Sequence, residues 1–307
     1  MIKSYPVVFI YISMIILSII MISSSNNWLF SWMSFEMSLF GFIPLFTVNT
    51  LTSEAIMKYF LMQAGGSAMF LMSFLLYSKK SSYIIMFLGM VMKLGLFPFI
   101  QWLPSVMTLM SWKGCLILAT VQKMGPIIIM MNILNLSSII IVSVLSMMAS
   151  SILGLNQTLL RPLMAYSSIS HSSWIMLTTT MSFKMTILYM AIYFMNTIYL
   201  FNSFYKEKNE SIILSKLSKP STLSQMMTIL ILSGIPPFSM FFFKMNIMFN
   251  MIMMPMVVIP IILSTYISTY YYFLFFIPNM MFMKTKKEKP TMTMMTIMNI
   301  MPILVNI

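Results

Sequence analysis

Residues 90–104 read MVMKLGLFPFIQWLP. It is an apolar run that holds one lysine, Lys93, and a proline, Pro98, that interrupts the helical pattern. Proline removes a backbone donor and clashes with the preceding turn. A free carbonyl at membrane depth is tolerated only where protein or water satisfies it. The stretch therefore predicts a broken membrane helix with an ammonium group beside the break.

The rest of the chain is equally apolar. Of its 307 residues, 60% are hydrophobic and only 7% are charged, whereas soluble domains carry about 25% charged residues. Long apolar runs recur from end to end and predict an all-α polytopic membrane protein. The largest polar segment, roughly 205–220, is too short to bury a core of its own. We therefore expect a single transmembrane domain over residues 1–307.

Polar residues, prolines and glycines divide the chain into about eleven segments, each long enough to span a membrane. The fourth and the ninth segments are unusually long, and both carry proline inside. The predicted spans are 5–23, 27–47, 53–77, 81–107, 111–132, 137–154, 162–180, 184–205, 222–253, 255–277 and 291–307.

The two long segments share the motif G-x-x-P-F, and each lies near a lysine. Such paired interruptions in the two halves of a chain indicate inverted repeats with function at the break. The alternative is a pair of plain kinks, because Gly and Pro are common in membrane helices. We expect repeat halves at 5–132 and 137–277, and a loop and C-terminal helix over 278–307. The predicted helix-break residues are Gly95, Pro98, Gly234, Pro236 and Pro237.

Four ionisable side chains lie in the middle of predicted spans, where a charge costs about 2.5–3.5 kcal/mol on insertion scales. For Glu36, a static ion pair and a proton-transfer role are both open, and either needs a cation, for which Lys93 is the candidate. For Lys123 and Lys244 the ordinary alternative is extension to a membrane interface. Burial disfavours a charged amine, so a row of buried lysines separated by water can pass protons by alternating charge. The four residues are Glu36, Lys93, Lys123 and Lys244.

Three further residues have two interpretations each. His171 lies among serines in the predicted seventh span and is either a satisfied core residue or a titrating group beside a water chain. Glu54 and Lys58 are four residues apart, which fits an ordinary helix-surface pair. The alternative is that this pair couples charge along the membrane.

The formal net charge of +13 would indicate nucleic acid in a soluble protein. Here it favours lysine-rich loops that face anionic lipid, at 79–80, 206–219 and 284–289.

The single cysteine excludes an internal disulfide and a Cys-ligated metal or cluster, and the single histidine excludes multi-histidine metal sites. Methionine occurs 42 times and glycine only 9 times, which is typical of an AT-rich organellar genome.

Several motifs together resemble the NADH–ubiquinone oxidoreductase chain 2 family, from about residue 27 to about residue 245. Beyond Lys244 the resemblance is in hydropathy alone. The motifs are FEMSLFGFIPLF (35–46), SEAIMKYFLMQA (53–64), MKLGLFPFIQWLPSVM (92–107), TVQKMGPI (120–127), GLNQTLLRPLMAYSSISHSSW (154–174) and LSGIPPFSMFFFK (232–244).

The resemblance implies an antiporter-like fold of inverted five-helix repeats and a proton-translocating role in mitochondrial respiratory complex I. It implies that Glu36 is the carboxylate of the first half-channel with Lys93 as its partner, that Lys123 is the connecting lysine, and that Lys244 is the lysine of the second half. It also implies that NADH, flavin, iron–sulfur clusters and ubiquinone are bound by other subunits, so no cofactor and no metal is expected here.

The expected location is the mitochondrial inner membrane, with multiple passes. The expected partners are other membrane-arm subunits, both antiporter-like and small, together with lipids such as cardiolipin, and not nucleic acid. Two other functions stay open at this point. The chain could be an autonomous cation/proton antiporter, or a passive membrane scaffold whose buried charges only pair.

Overall fold

Helices make up most of the described part of the chain, as the apolar runs predicted. The computed structural model describes residues 5–49, 53–76, 81–132, 136–207 and 221–281, and these ranges contain thirteen helical segments. They are α1 (Tyr5–Ser24), α2 (Trp28–Asn49), α3 (Ser53–Leu75), α4 (Ser81–Leu94), α5 (Trp102–Leu109), α6 (Trp112–Ala119), α7 (Val121–Met131), α8 (Leu136–Leu155), α9 (Leu160–Thr179), α10 (Phe183–Glu207), α11 (Ser221–Ser233), α12 (Ser239–Met251) and α13 (Pro255–Met281).

These segments correspond to the first ten predicted spans, and the fourth and ninth are broken as predicted, into α4 and α5 and into α11 and α12. The predicted eleventh span and most of the lysine-rich loops lie outside the described residues. By length and composition, four described helical stretches are long and apolar enough to cross a membrane. They are Trp112–Met131, Leu136–Leu155, Phe183–Lys206 and Pro255–Leu274.

One span is less regular than predicted. The stretch expected to be continuous over 111–132 is interrupted at Thr120, where ψ is −77°, compared with about −42° in a regular helix. Pro126 lies inside α7 and has no N–H to give to the carbonyl of Gln122 one turn earlier. Proline also crowds that carbonyl, so the first turn of α7, which follows the interruption, lacks one of the regular helical hydrogen bonds.

Polar groups inside the helices are largely satisfied within the same helix. The Ser18 hydroxyl donates to the Ile15 carbonyl at 2.6 Å, and many other serines and threonines bond to a carbonyl one turn earlier in the same way. Large apolar side chains such as Phe9 and Met256 face outward. This arrangement suits a hydrocarbon environment, in which exposed apolar groups are favourable and unpaired polar groups are costly.

The chain forms two compact units, Met1–Ser146 and Met147–Ile307. In the first unit, α2 packs against α1 and α3, α3 packs along α4, and α7 packs against α1 and α4. In the second unit, α10 packs against α9 and α11, while α12 packs against α11 and α13. Each unit therefore contains one of the two predicted broken helices. The inverted relation between the predicted halves stays a prediction.

Candidate functional site

The first broken helix ends at a glycine in the left-handed conformation. Gly95 has φ +70°, its N–H donates to the Met92 carbonyl at 3.2 Å, and the N–H of Leu96 donates to the Val91 carbonyl at 3.1 Å. This pair of bonds is the Schellman motif, in which glycine is favoured because it has no Cβ. The motif ends α4 at Leu94, and α5 begins only at Trp102.

The carbonyls of the last α4 turn also accept hydrogen bonds from side chains. Gln63 Nε2 on α3 donates to the backbone carbonyl of Lys93 at 3.2 Å, and Trp102 Nε1 on α5 donates to the carbonyl of Met92 at 3.1 Å. Both donors are neutral. The break is therefore closed without the ammonium group of Lys93, which is left to make other contacts.

The Lys93 side chain crosses α3 at a glycine. A Cβ on Gly66 would lie 2.7 Å from Lys93 Cγ, so only glycine leaves this path open. The Lys93 ammonium lies 3.8 Å from the centroid of the Phe35 ring, within the range of a cation–π interaction. The side chain thus stays inside the first unit and reaches α2.

Glu36 follows Phe35 on α2 and lies close enough to Lys93 for the two charges to interact. No ion pair joins these two described residues. Instead, the Ser67 hydroxyl on α3 donates to Glu36 Oε1 at 2.6 Å. The structure therefore brings the predicted carboxylate and its predicted lysine partner together, with Ser67 and Phe35 as their immediate contacts.

The second broken helix is closed in a different way. Gly234 has φ +74° and follows the last residue of α11. The ammonium of Lys244 on α12 donates to the Ser233 carbonyl at 2.9 Å, and the Leu232 carbonyl is 3.5 Å away. These carbonyls carry the partial negative charge of a helix C-terminus, which favours a cation. Lys244 is thus bound to the break itself.

All three mid-span lysines are buried, with exposed fractions of 6% for Lys93, 3% for Lys123 and 7% for Lys244. Extension to an interface does not fit this burial. Lys123 lies near the start of α7, directly after the interruption at Thr120, and α7 packs against the α4 helix that carries Lys93. In the second unit, the Trp174 ring centroid lies 5.8 Å from the Lys244 ammonium.

His171 is buried in α9 against tyrosines of α10. Its Nδ1 lies 3.1 Å from the Tyr189 hydroxyl, and its ring stacks on Tyr193 with 4.9 Å between centroids. The Tyr189 ring also meets Phe243 edge-on at 5.8 Å, and Phe243 directly precedes Lys244. A chain of contacts in the second unit therefore runs from His171 to the neighbour of Lys244.

The serines around His171 mostly direct their protons back into α9. The hydroxyls of Ser167, Ser168 and Ser170 donate to Met164, Ala165 and Ser167 carbonyls at 2.7–2.8 Å. Their oxygens can still accept a hydrogen bond. Two buried α13 tyrosines, Tyr271 and Tyr272, lie close to Ser170 and Ser167. Hydroxyl groups of α10 and α13 thus lie near the part of α9 that carries His171.

Glu54 and Lys58 form an ion pair within α3 at 2.5 Å, with 68% and 44% of their side chains exposed. This geometry matches the ordinary helix-surface pair. Such exposed pairs contribute little to stability.

Within the described residues, no three His, Cys, Asp or Glu side chains come together as a metal-binding group.

Several residues that the structure brings to these sites were not predicted from the sequence. Gln63 and Ser67 are four residues apart and so share one face of α3, where one contacts the Lys93 backbone and the other Glu36. Tyr189 and Tyr193 repeat the same spacing on α10. That spacing is visible in the sequence, but it does not tell which helix the face meets.

Comparisons with known proteins identify the relatives of this chain. Residues 78–269 match the family described as NADH:quinone oxidoreductase/Mrp antiporter, transmembrane. The NADH-ubiquinone oxidoreductase chain 2 of Lumbricus terrestris is 34% identical over 284 residues, which cover 87% of this chain and 85% of that protein. The Bos taurus protein of the same name is 32% identical over 333 residues, covering 97% and 95%. The similarity thus continues beyond Lys244, where we expected hydropathy alone.

Solved structures share the fold. A chain of respiratory complex I from Thermus thermophilus with bound aureothin superposes with a TM-score of 0.85 at 18% identity, covering 98% of this chain and 79% of that chain. A chain of the Mrp complex from Dietzia sp. DQ12-45-1b superposes with a TM-score of 0.75 at 13% identity, covering 92% and 61%. These structures share the fold of the chain, and the relatives above show that the chain belongs to the NADH-ubiquinone oxidoreductase chain 2 family.

Proposed function

We propose that this chain is a proton-translocating membrane subunit of mitochondrial respiratory complex I, NADH:ubiquinone oxidoreductase. The observation that carries the proposal is the burial of an amine beside each broken helix, with a carboxylate close to the first. Buried amines in a membrane are costly, and an amine whose charge is easily lost and regained is a suitable proton carrier.

In the first unit, the proposed switch is the distance between Glu36 and Lys93. The Phe35 ring stabilises the ammonium only modestly, so a nearby carboxylate has a large effect on whether Lys93 holds its proton. Movement of Glu36 away from Ser67 and toward Lys93 favours the protonated amine. Movement back favours release of the proton, for which Lys123 on the adjacent α7 is the proposed acceptor.

In the second unit, the proposed carrier is Lys244. Its protonated form is favoured by the carbonyls of Ser233 and Leu232 at the end of α11. Loss of the proton removes the charge–dipole attraction and releases the side chain from the break. His171 and Tyr189 supply a second pair of groups that can exchange a proton.

Electron transfer belongs to other subunits in this proposal, so this chain binds none of the redox cofactors. Its location is the mitochondrial inner membrane. Its partners are neighbouring membrane-arm subunits, and lipids such as cardiolipin fill grooves at its surface. The exposed pair Glu54–Lys58 has no assigned role.

The test is proton pumping by the intact complex in sealed membranes. Glu36→Gln and Lys93→Met should each reduce the number of protons moved per NADH oxidised, because each removes one member of the switch. Glu54→Gln is the matched control, since it makes the same chemical change on an exposed carboxylate. Unchanged pumping in a fully assembled Lys93→Met complex would support the passive scaffold instead.

An autonomous cation/proton antiporter is the second candidate function. The reason is that the matching family also includes Mrp antiporters. The chain reconstituted alone in vesicles separates the two functions. We expect no sodium- or potassium-dependent proton exchange by the isolated chain. Exchange at a rate that Lys93→Met abolishes would favour the antiporter.

A further inference from the structure

A small polar cavity lies in the first unit where α7 meets α1, α2 and α3. Its volume is about 10 Å³, close to the smallest volume that holds one water molecule. Apolar side chains make up much of the wall. The polar side chains that line it are Ser18 of α1, Ser38 of α2, Gln63 of α3 and Gln122 of α7.

One group at this cavity lacks a partner. Gln122 Nε2 is buried and makes no hydrogen bond within the described residues. A buried amide N–H without an acceptor costs about 1–3 kcal/mol, so such a group calls for a bound water or ion. An amide donor requires an acceptor, which a water oxygen provides.

The proline of α7 affects a second polar group, the backbone carbonyl of Gln122. Gln122, Gly125 and Pro126 all line the cavity. Because Pro126 has no N–H, it cannot donate to the backbone carbonyl of Gln122. In membrane helices, ordered water is one of the means by which a carbonyl freed by proline is satisfied.

The two serines can accept hydrogen bonds from a molecule bound in the cavity. The Ser18 hydroxyl donates to the Ile15 carbonyl at 2.6 Å, and the Ser38 hydroxyl donates to the Phe35 carbonyl at 2.7 Å. With their protons directed into their own helices, both oxygens keep lone pairs. The lining therefore presents one donor and several acceptors, which matches a water molecule that accepts one hydrogen bond and donates two.

We propose that this cavity is a structural water site, and that one bound water joins Gln122 of α7 to the serines of α1 and α2. The water lies beside the contact between α7 and the Phe35 ring, and so helps to position that ring. A Cβ on Gly125 would lie 2.7 Å from Ile22 Cδ1 and 3.1 Å from Phe35 Cε1, so α7 approaches the Phe35 ring closely here. The Lys93 ammonium lies over the face of the same ring. Any effect of the water on proton movement rests on the function proposed above.

The experiment is a high-resolution structure of the intact complex that contains this chain. We expect a density peak within hydrogen-bonding distance of Gln122 Nε2 and of Ser18 or Ser38 Oγ. Gln122→Met keeps the length of the side chain but removes its donor, and the peak should fall to background. Ser38→Ala is a milder second variant and should also weaken it.

Ser34→Ala is the matched control, because Ser34 lies one turn from Ser38 on α2 and makes the same kind of bond to its own helix at 2.6 Å. The peak should be unchanged in this variant. The proposal is overturned if the native complex has no peak where other internal waters are resolved, or if the peak survives in both Gln122→Met and Ser38→Ala. This readout does not depend on pumping, so it is separate from the fate of the proposed function.

Discussion

At the scale of single residues, the two lysines next to the helix breaks have different surroundings. The Lys93 ammonium lies on the face of an aromatic ring, and neutral side chains close the break beside it. The Lys244 ammonium itself closes the break after α11. A lysine that is bound to backbone carbonyls supports the fold as well as carrying charge. Substitution of the two residues should therefore have different structural effects.

Lys244→Met should destabilise the second unit more than Lys93→Met destabilises the first. The Lys244 substitution removes the donor from the buried Ser233 carbonyl, which costs about 1–3 kcal/mol. In Lys93→Met, the Lys93 backbone carbonyl keeps its bond from Gln63. Thermal dissociation of the assembled complex measures the difference, as a lower midpoint for Lys244→Met. Equal midpoints would contradict the capping role of Lys244.

At the scale of helices, the decisive contact is the crossing of α3 and α4. A Cβ on Gly66 would lie 2.9 Å from the Gly89 backbone oxygen, and a Cβ on Gly89 would lie 2.8 Å from the Gly66 oxygen. The two glycines thus bring the helix backbones together, as small residues do in membrane helix pairs. This close approach is what allows Lys93 to cross α3 toward α2.

Gly66→Ala should displace both α4 and the Lys93 side chain. The added methyl meets backbone as well as the stem of Lys93, and overpacking of this kind costs about 1–3 kcal/mol. The expected result is less assembled complex, and reduced pumping by the complex that does assemble.

Gly65→Ala is the matched control on the preceding residue. Its Cβ would meet only the flexible tip of Met92, at 3.0 Å from Cε, so we expect near-native assembly. Assembly yield on native gels compares the two variants. Because alanine has a higher helix propensity than glycine, a Gly65→Ala complex as poor as the Gly66→Ala complex would contradict a specific role for the close approach at Gly66.

At the scale of the whole molecule, the described surface is suited to lipid or to other membrane subunits. Large apolar side chains are exposed on many helices, including Ile16 near the middle of α1 and Met256 on α13. An apolar surface of this extent is rare in soluble monomers and marks interaction with a membrane or a partner.

Ile16→Asp tests that assignment. In hydrocarbon, an aspartate at a helix centre costs about 2.5–3.5 kcal/mol on insertion scales, and assembly into the membrane should fall clearly. Asn26→Asp, which adds the same charge in the connection between α1 and α2, should be tolerated. The measurement is the fraction of each variant that resists carbonate extraction. Equal fractions would mean that Ile16 does not face an apolar environment.

The sequence by itself was sufficient for the fold class, the first ten spans, both main helix breaks and the identity of the buried charges. These features depend on local properties, because hydropathy, proline chemistry and the cost of burying a charge act within one segment. The same local reasoning placed His171 inside a span and paired Glu54 with Lys58, four residues along one helix.

Only the tertiary structure decided which group closes each break and what each buried charge contacts. Gln63 reaches Lys93 across thirty residues of sequence, and the rotation and depth of α3 against α4 decide that contact. The tyrosines around His171, the Phe35 ring under Lys93 and the cavity at Gln122 depend in the same way on faces of distant helices. Helical periodicity predicts which residues share a face, and packing alone determines what that face meets.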